Sequence, residues 1–303
     1  LVASASAAAN AIVINLVTGS TASISGNFTM SGAGTTAHRL QSPDASSVTF
    51  NSGAICTFGP SVGGNIFGIG AAPSSLNSVI FASGSRYVAR GGSNPFGAGQ
   101  PSSVCIFQSG STFDAQIVSP AFSGRTYANY EQNFAGTVTA TGSSSSTIEN
   151  ITINDGTFNY NMTGRSNIKG NITIASGKTM NIAPLSNPSD SLVFNGTTQQ
   201  SISGAGTFNI TNTLTIQNKV VLNNAAGLVL NKDVTIPGTL VLLSGNITTG
   251  ANTLRLGTNT LILGTLARTS GTIIGNFTRQ FAPSVVSNVL FPVGTATNYR
   301  PAT

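Results

Sequence analysis

The sequence predicts an all-β fold, a right-handed parallel β-helix or β-solenoid with about 20 residues per coil in its C-terminal half. Three observations carry the expectation: an apolar repeat, a conserved parity of inward positions, and connections too short for helices. Ile174, Phe194, Leu214, Val234, Leu254 and Ile274 form one apolar column at a spacing of twenty. Ile182, Ile202, Leu222, Leu242 and Ile262 form a second, and Met162 extends it backwards.

The parity is read from short segments in chain order. Leu214 to Ile216, Val220 to Leu222, Leu228 to Leu230, Val234 to Ile236 and Leu240 to Leu242 each place apolar residues at even numbers. Successive side chains of a strand point to opposite faces, so a parity kept across several turns means that one face is always inside. The turns, such as Asn223-Asn224, Pro237-Gly238 and Ser244-Gly245-Asn246, leave no room for crossover helices. Asn, Ser and Thr at such positions can pass hydrogen bonds from coil to coil.

The first half keeps the style with looser coils and loop insertions. Ser47 to Gly53, Ser78 to Gly84 and Ser103 to Gly110 share one pattern, with Phe50, Phe81 and Phe107 at matching places. Those Phe residues lie 31 and then 26 apart, so the Gly- and Pro-rich stretches Gly59 to Pro73 and Gly91 to Pro101 read as inserted loops. The expected organisation is an irregular part over 1–145, a regular part over 146–280 and a C-terminal segment over 281–303 that leads to a missing or removed downstream region.

Composition narrows the function classes. Of 303 residues only 20 are Lys, Arg, Asp or Glu, against about a quarter in an average domain. In a stacked repeat, a like charge recurring once per coil would meet its copy about 4.8 Å away, which disfavours charge at repeated positions. Hydrophobic residues make up 40%, enough to bury a core. No uninterrupted apolar run reaches the roughly 18 residues of a membrane helix, so no transmembrane segment is expected. The chain starts without Met or a basic leader, which reads as a mature or internal start.

Certain phrases carry a resemblance: Gly124-Arg125-Thr126-Tyr127-Ala128, Asn161-Met162-Thr163-Gly164, Ile168 to Ile174, Leu240 to Ile247, and Leu290-Phe291-Pro292-Val293-Gly294 through Pro301. Together they resemble the large repetitive, adhesin-like cell-surface and secreted proteins of Bacteroidota exported by the type IX system. The likeness covers most of residues 45 to 303 and is one of repeat style, with no catalytic motif attached. It implies extracellular display, adhesion or assembly, and further β-domains downstream.

Chemistry-bearing residues are few. Glu149 and Asp155, flanking Ile151 to Ile153, are the best carboxylate pair for a polysaccharide-cleaving site, but solvated turn residues are the better reading, and neither is taken as catalytic. His38 has no nucleophile motif around it and reads as a surface residue. With one His, two separated Cys and scattered acids, neither a metal site nor a cofactor is expected. Cys56 and Cys105 fit a disulfide or two buried thiols equally well. The net charge of +6 is spread from Arg39 to Arg300, densest at Arg165, Lys169 and Lys178. It fits solubility and weak contact with acidic glycans, and no nucleic-acid partner is expected. Asn27, Asn150 and Asn209 open Asn-x-Thr triplets that read as strand and turn structure, and Asp190-Ser191-Leu192 resembles a short O-glycosylation signal.

The architecture itself points to function. Stacked strands expose backbone N–H and C=O groups at their ends, and neither end of this chain carries an evident cap. Ala11 to Val17 is an apolar, uncharged candidate edge strand. The expectation is a non-enzymatic extracellular structural or adhesive protein that forms a homo-oligomer or homopolymer, with a glycan-binding stalk of a large adhesin as the alternative. A carbohydrate-active enzyme using Glu149 and Asp155 ranks a distant third.

Overall fold

The computed structural model describes residues 2–5, 11–32, 37–68, 75–92, 94–116, 120–183, 186, 190–213, 215–282 and 288–303, the side chains of 2–5 excepted. Among them there is no helix, and the strand pairs within each unit run parallel, an arrangement that fits a β-solenoid. The chain forms two compact units, Leu1–Phe134 and Ala135–Thr303.

In the first unit the three matching segments of the sequence lie side by side. Strands Ala22–Ile24, Val48–Phe50, Val79–Phe81 and Cys105–Phe107 form one four-stranded parallel sheet. Phe50 stands opposite Phe81 and Phe81 opposite Phe107. Both ring pairs stack with centroids 4.8 Å apart and planes within 4° and 8° of parallel. That separation is the spacing of neighbouring strands, about 4.7–4.9 Å, so the backbone repeat itself sets the stack. A second ladder runs through Asn27–Gly32, Ile55–Phe58, Arg86–Ala89, Thr112–Ala115 and Thr126–Gln132. It places Cys56, Tyr87, Phe113 and Tyr130 in one buried column. Tyr87 and Phe113 join the two ladders, at 5.6 Å from Phe81 and 5.7 Å from Phe107 respectively.

The second unit has a mostly aliphatic interior. Ile148, Ile168, Phe194, Leu222 and Leu242 are successive partners, as are Ile151, Ile172, Ile202 and Leu230. The expected parity holds: Val220, Leu222, Leu228, Leu230, Val234, Ile236, Leu240 and Leu242 are all buried. Val221 and its partner Val193 are buried as well, on the opposite face of their strands. Of the expected even-numbered series, Leu214 lies outside the described residues, and Ile216 belongs to no strand and is half-buried.

The columns at a fixed spacing of twenty coincide with partners in places only. Leu222 faces Leu242 and Val234 faces Leu254, but Ile172 faces Ile202 and Leu192 faces Val220. The difference is physical. A parallel ladder fixes which residues face each other and leaves the connecting loops free in length, so a longer loop moves the partner further along the chain.

Polar side chains near the turns bond from strand to strand. Buried Gln200 uses its whole amide: Nε2 donates to the carbonyls of Ile168 and Gly170 at 2.9 and 2.8 Å, and Oε1 accepts from Gly196 N–H and Asn224 Nδ2. Left unmade, these bonds would each expose the structure to a desolvation cost of about 1–3 kcal/mol. The turns also approach closely. Gly245 has φ of +81°, and a Cβ there would lie 1.8 Å from the carbonyl oxygen of Asn224, so both conformation and space require glycine.

The final strand, Ile273–Arg279, is partly covered, which corrects the expectation of an undefended C-terminal end. Ile273 pairs with Val293, its N–H donating to Pro292 O at 2.8 Å. Residues 291–302 fold back through antiparallel bridges Phe291–Ala302 and Gly294–Tyr299. The Arg268 guanidinium caps this turn, 3.7 Å from the centroid of the Tyr299 ring.

Candidate functional site

The structure does not join Glu149 and Asp155 into a carboxylate dyad. Strand Ser146–Ile153 runs through without a turn, but Glu149 and Asn150 are both half-buried and the inward positions change from Ile148 to Ile151. This break in alternation removes the parity that would put the two acids on one face. Asp155 lies past the strand end, ion-paired with Lys178 at 2.5 Å and accepting the Gly156 N–H. The hydrogen bond from Lys178, aided by that of Gly156, holds its carboxyl below the ordinary carboxylate range.

His38 is fully buried, which corrects its reading as a surface residue. Its Nδ1 accepts the Ile12 N–H at 2.9 Å, so the ring ties two strands of the first unit together. Cys56 and Cys105 are free and buried, which decides between the two readings left open. Burial raises both thiols, Cys105 to about 12 despite the opposing hydrogen bond from Ser103 and the charge of Arg125. Ser191 is buried and donates to Asn218 Oδ1 at 2.6 Å, so it is not presented for glycosylation. Asn209 and Asn150 are structural, bonded to Asn181 Oδ1 and to the Asn171 N–H.

The basic group is already engaged. Arg165 and Lys219 both pair with Asp190, at 3.3 and 3.0 Å. Lys178 pairs with Asp155, and Lys169 donates to the carbonyl of Asn195. Asp155 and Asp190 thus offset two of these four positive charges.

The most developed charged cluster was not legible in the sequence. Arg86 Nη1 lies 3.0 Å from Asp114 and 2.7 Å from Glu131, which face each other on neighbouring strands of the first unit. Gln116 and Asn133 also donate to Asp114, at 3.0 and 2.8 Å. Burial opposes the charge of Arg86, but bonding and attraction from Glu131 and Asp114 outweigh it and raise the guanidinium above its ordinary value. Two carboxylates one strand apart repel, and Arg86 offsets this as a cross-tie over three strands. Its guanidinium also fills the space between them where a scissile bond would have to enter. Chain distance hides the cluster. The usable signal is the aromatic column, because Arg86-Tyr87-Val88, Thr112-Phe113-Asp114 and Asn129-Tyr130-Glu131 align on their rings.

Two cavities near 300 Å³ occur among the described residues. One, between the loops at Asn212 to Gln217 and Leu261 to Thr265, opens to solvent beside Pro237 and Gly238. The other lies by Phe96, Cys105 and Arg125. Burial lowers the Arg125 guanidinium from its ordinary value, and its two terminal nitrogens are spent on the carbonyls of Ser102 and Ala98.

One regular sheet face is uncharged. Strands Thr137–Gly142, Thr157–Met162, Thr179–Ile182 and Thr207–Ile210 form a four-stranded parallel sheet. Its inward residues are buried, among them Val138, Phe158, Met180 and Phe208. Its outward columns are Thr137, Thr157, Thr179, Thr207 and Thr139, Asn159, Asn181, Asn209. Asn181 Nδ2 donates to Asn159 Oδ1 at 2.8 Å and Asn209 Nδ2 to Asn181 Oδ1 at 3.0 Å, an amide ladder along the sheet. No helix among the described residues is long and apolar enough to cross a membrane. In comparisons with known proteins, no protein-family model, no curated protein and no solved structure matches this chain.

Proposed function

We propose that this chain is an extracellular structural and adhesive surface protein, a building block of a filament, sheath or fibre that assembles by strand pairing or end-to-end contact. Its parallel coil is read as right-handed, because parallel crossovers are right-handed in about 98% of cases. A coil of about twenty residues is supported where Leu222 faces Leu242 and Val234 faces Leu254.

One observation carries the assembly reading. Among the described residues, Val13–Asn15 has a single hydrogen-bonded neighbour, Arg39–Gln41, and Ala22–Ile24 a single one, Val48–Phe50. Ile12 O and Leu16 N bond toward Arg39–Gln41, so alternation aims the backbone groups of Val13 and Asn15 to the open side. The same reasoning aims Ser23 outward, since Ala22 N and Ile24 O bond inward to Ser47 and Asn51. Open backbone edges beside exposed Val13 and Val17 form a template for another strand.

The test is light scattering over a concentration series, with electron microscopy of the same samples. The wild type is expected to grow with concentration, and Val13→Pro/Ser23→Pro, which removes outward donors and no ladder bond, to stay small. A particle of fixed size at all concentrations contradicts the assembly reading. The second reading, the glycan-binding stalk of a large adhesin, is favoured by the uncharged Thr and Asn columns.

A further inference from the structure

We propose that the outer face of the sheet formed by Thr137–Gly142, Thr157–Met162, Thr179–Ile182 and Thr207–Ile210 binds a neutral, extended β-1,4-linked polysaccharide. The polymer lies across the strands with one sugar unit per strand. This deepens the adhesive part of the proposed function and rests on it.

The outward Thr and Asn columns are in unbroken register over four strands. They repeat at the strand spacing of about 4.8 Å. A sugar unit in an extended β-1,4-linked chain advances by a closely similar interval with alternate units turned over, so each unit lies over one pair of side chains and identical groups of the polymer recur on every second strand.

Each amide has two N–H donors and an oxygen with two lone pairs. Within the ladder Asn181 spends one donor and one lone pair on its neighbours, Asn159 one lone pair and Asn209 one donor. The remaining donor and acceptor of each amide form the combination that adjacent sugar hydroxyls require. The ladder and the buried backing of Phe158, Tyr160, Met180 and Ile182 hold these groups in place before binding, which lowers its ordering cost.

No ionisable residue stands in either column. Beside them Asp155 and Lys178 neutralise each other, and the Lys232 ammonium, next to Thr207, is held by the carbonyls of Gly204 and Gly206. Along the columns themselves an acidic polymer finds no counter-charge, and a neutral one loses nothing. The columns also hold no aromatic ring on which a sugar could stack. Each unit is therefore held weakly, and affinity must come from several units bound together.

The experiment measures depletion of the full chain by microcrystalline cellulose and by chitin particles, with polygalacturonate beads as the acidic control. Depletion is expected on at least one neutral polymer and not on polygalacturonate, with longer soluble oligomers competing better than the disaccharide. Thr157→Glu/Thr207→Glu places two charges on non-adjacent strands of the face and is expected to weaken binding at least tenfold. Asn159→Ala/Asn181→Ala, which removes side chains without adding any, is expected to do the same with an unchanged β-sheet circular dichroism spectrum. The proposal is overturned by absence of depletion on both neutral polymers, or by depletion that folded variants of both kinds leave intact. Shaping of ice crystals without polysaccharide binding also overturns it, because the lattice recognised is then that of water. Light scattering on the same samples reads assembly separately, so lost depletion with assembly intact sinks this proposal alone.

Discussion

The two compact units build parallel ladders from different side chains. The first stacks rings, with Phe50, Phe81 and Phe107 in one column and Tyr87, Phe113 and Tyr130 in another. The second stacks mostly branched aliphatic residues inside, as in the column Ile151, Ile172, Ile202 and Leu230, and amides outside, as in Asn159, Asn181 and Asn209 on another sheet. The difference shows that a parallel register rewards any side chain that packs well on its own copy one strand away. Rings do so through their faces, aliphatic chains through dispersion, and amides by donating with one end and accepting with the other. Charge fails this test unless a counter-ion bridges the copies, as Arg86 does for Asp114 and Glu131.

The largest effect that sharpens this comparison is expected at Phe81, which is buried with a stacked ring on either side. Phe81→Ala is expected to destabilise by about 3–5 kcal/mol in urea denaturation. More telling is Phe81→Leu against Ile172→Val. The Ile172 change costs about 0.5–1.5 kcal/mol. Phe81→Leu keeps much of the burial but loses the two stacked ring pairs, of about 0.5–1.5 kcal/mol each, together with the contacts to Phe67 and Tyr87, and is expected to cost more. Equal costs would mean that the stacked rings act as ordinary bulk.

A smaller effect is expected in the amide ladder. Asn181→Ala removes two strand-to-strand hydrogen bonds at a half-buried surface, for a loss of about 1–2 kcal/mol. Asn181→Asp is expected to cost at least as much, since its carboxylate cannot donate to Asn159. If both variants unfold at the wild-type midpoint, the ladder is decoration.

The smallest concerns pH. Because the folded-state carboxyl of Asp155 is depressed by Lys178 and Gly156, its contribution is present above the ordinary value of 3.8 and is lost as pH falls through the lower folded value. A carboxyl titration followed by NMR is expected to find Asp155 below 3.8 in the wild type, rising toward 3.8 in Lys178→Met. An unchanged midpoint in the variant would remove Lys178 as the cause.

What could be read in advance follows from the same physics. The three Phe-bearing segments of the first unit announce their register, because like residues recur with like neighbours, and they meet as partners despite unequal loops. The parity from Val220 to Leu242 is equally visible, since alternation is local. The interval of twenty is a weaker guide, because loop length is not constrained by the ladder and Ile172 meets Ile202 across a longer excursion. The Arg86 cluster and the burial of His38 were hidden for another reason: both depend on which distant strands lie together, and no nearby residue signals that. The Thr and Asn surface was legible only as composition until register assembled it into columns.

The register itself is open to a direct measurement. Thr173 and Ser203 face each other, their side-chain oxygens 3.3 Å apart, although a strict interval of twenty would bring Val193 opposite Thr173. Partners on neighbouring strands lie within the Cα reach of a disulfide, about 4.4–6.8 Å. Under mild oxidation Thr173→Cys/Ser203→Cys is expected to lose both engineered thiols to an intramolecular bond, while Thr173→Cys/Val193→Cys keeps them. Cross-linking of the Val193 pair, with the Ser203 pair left reduced, would contradict the ladder described here.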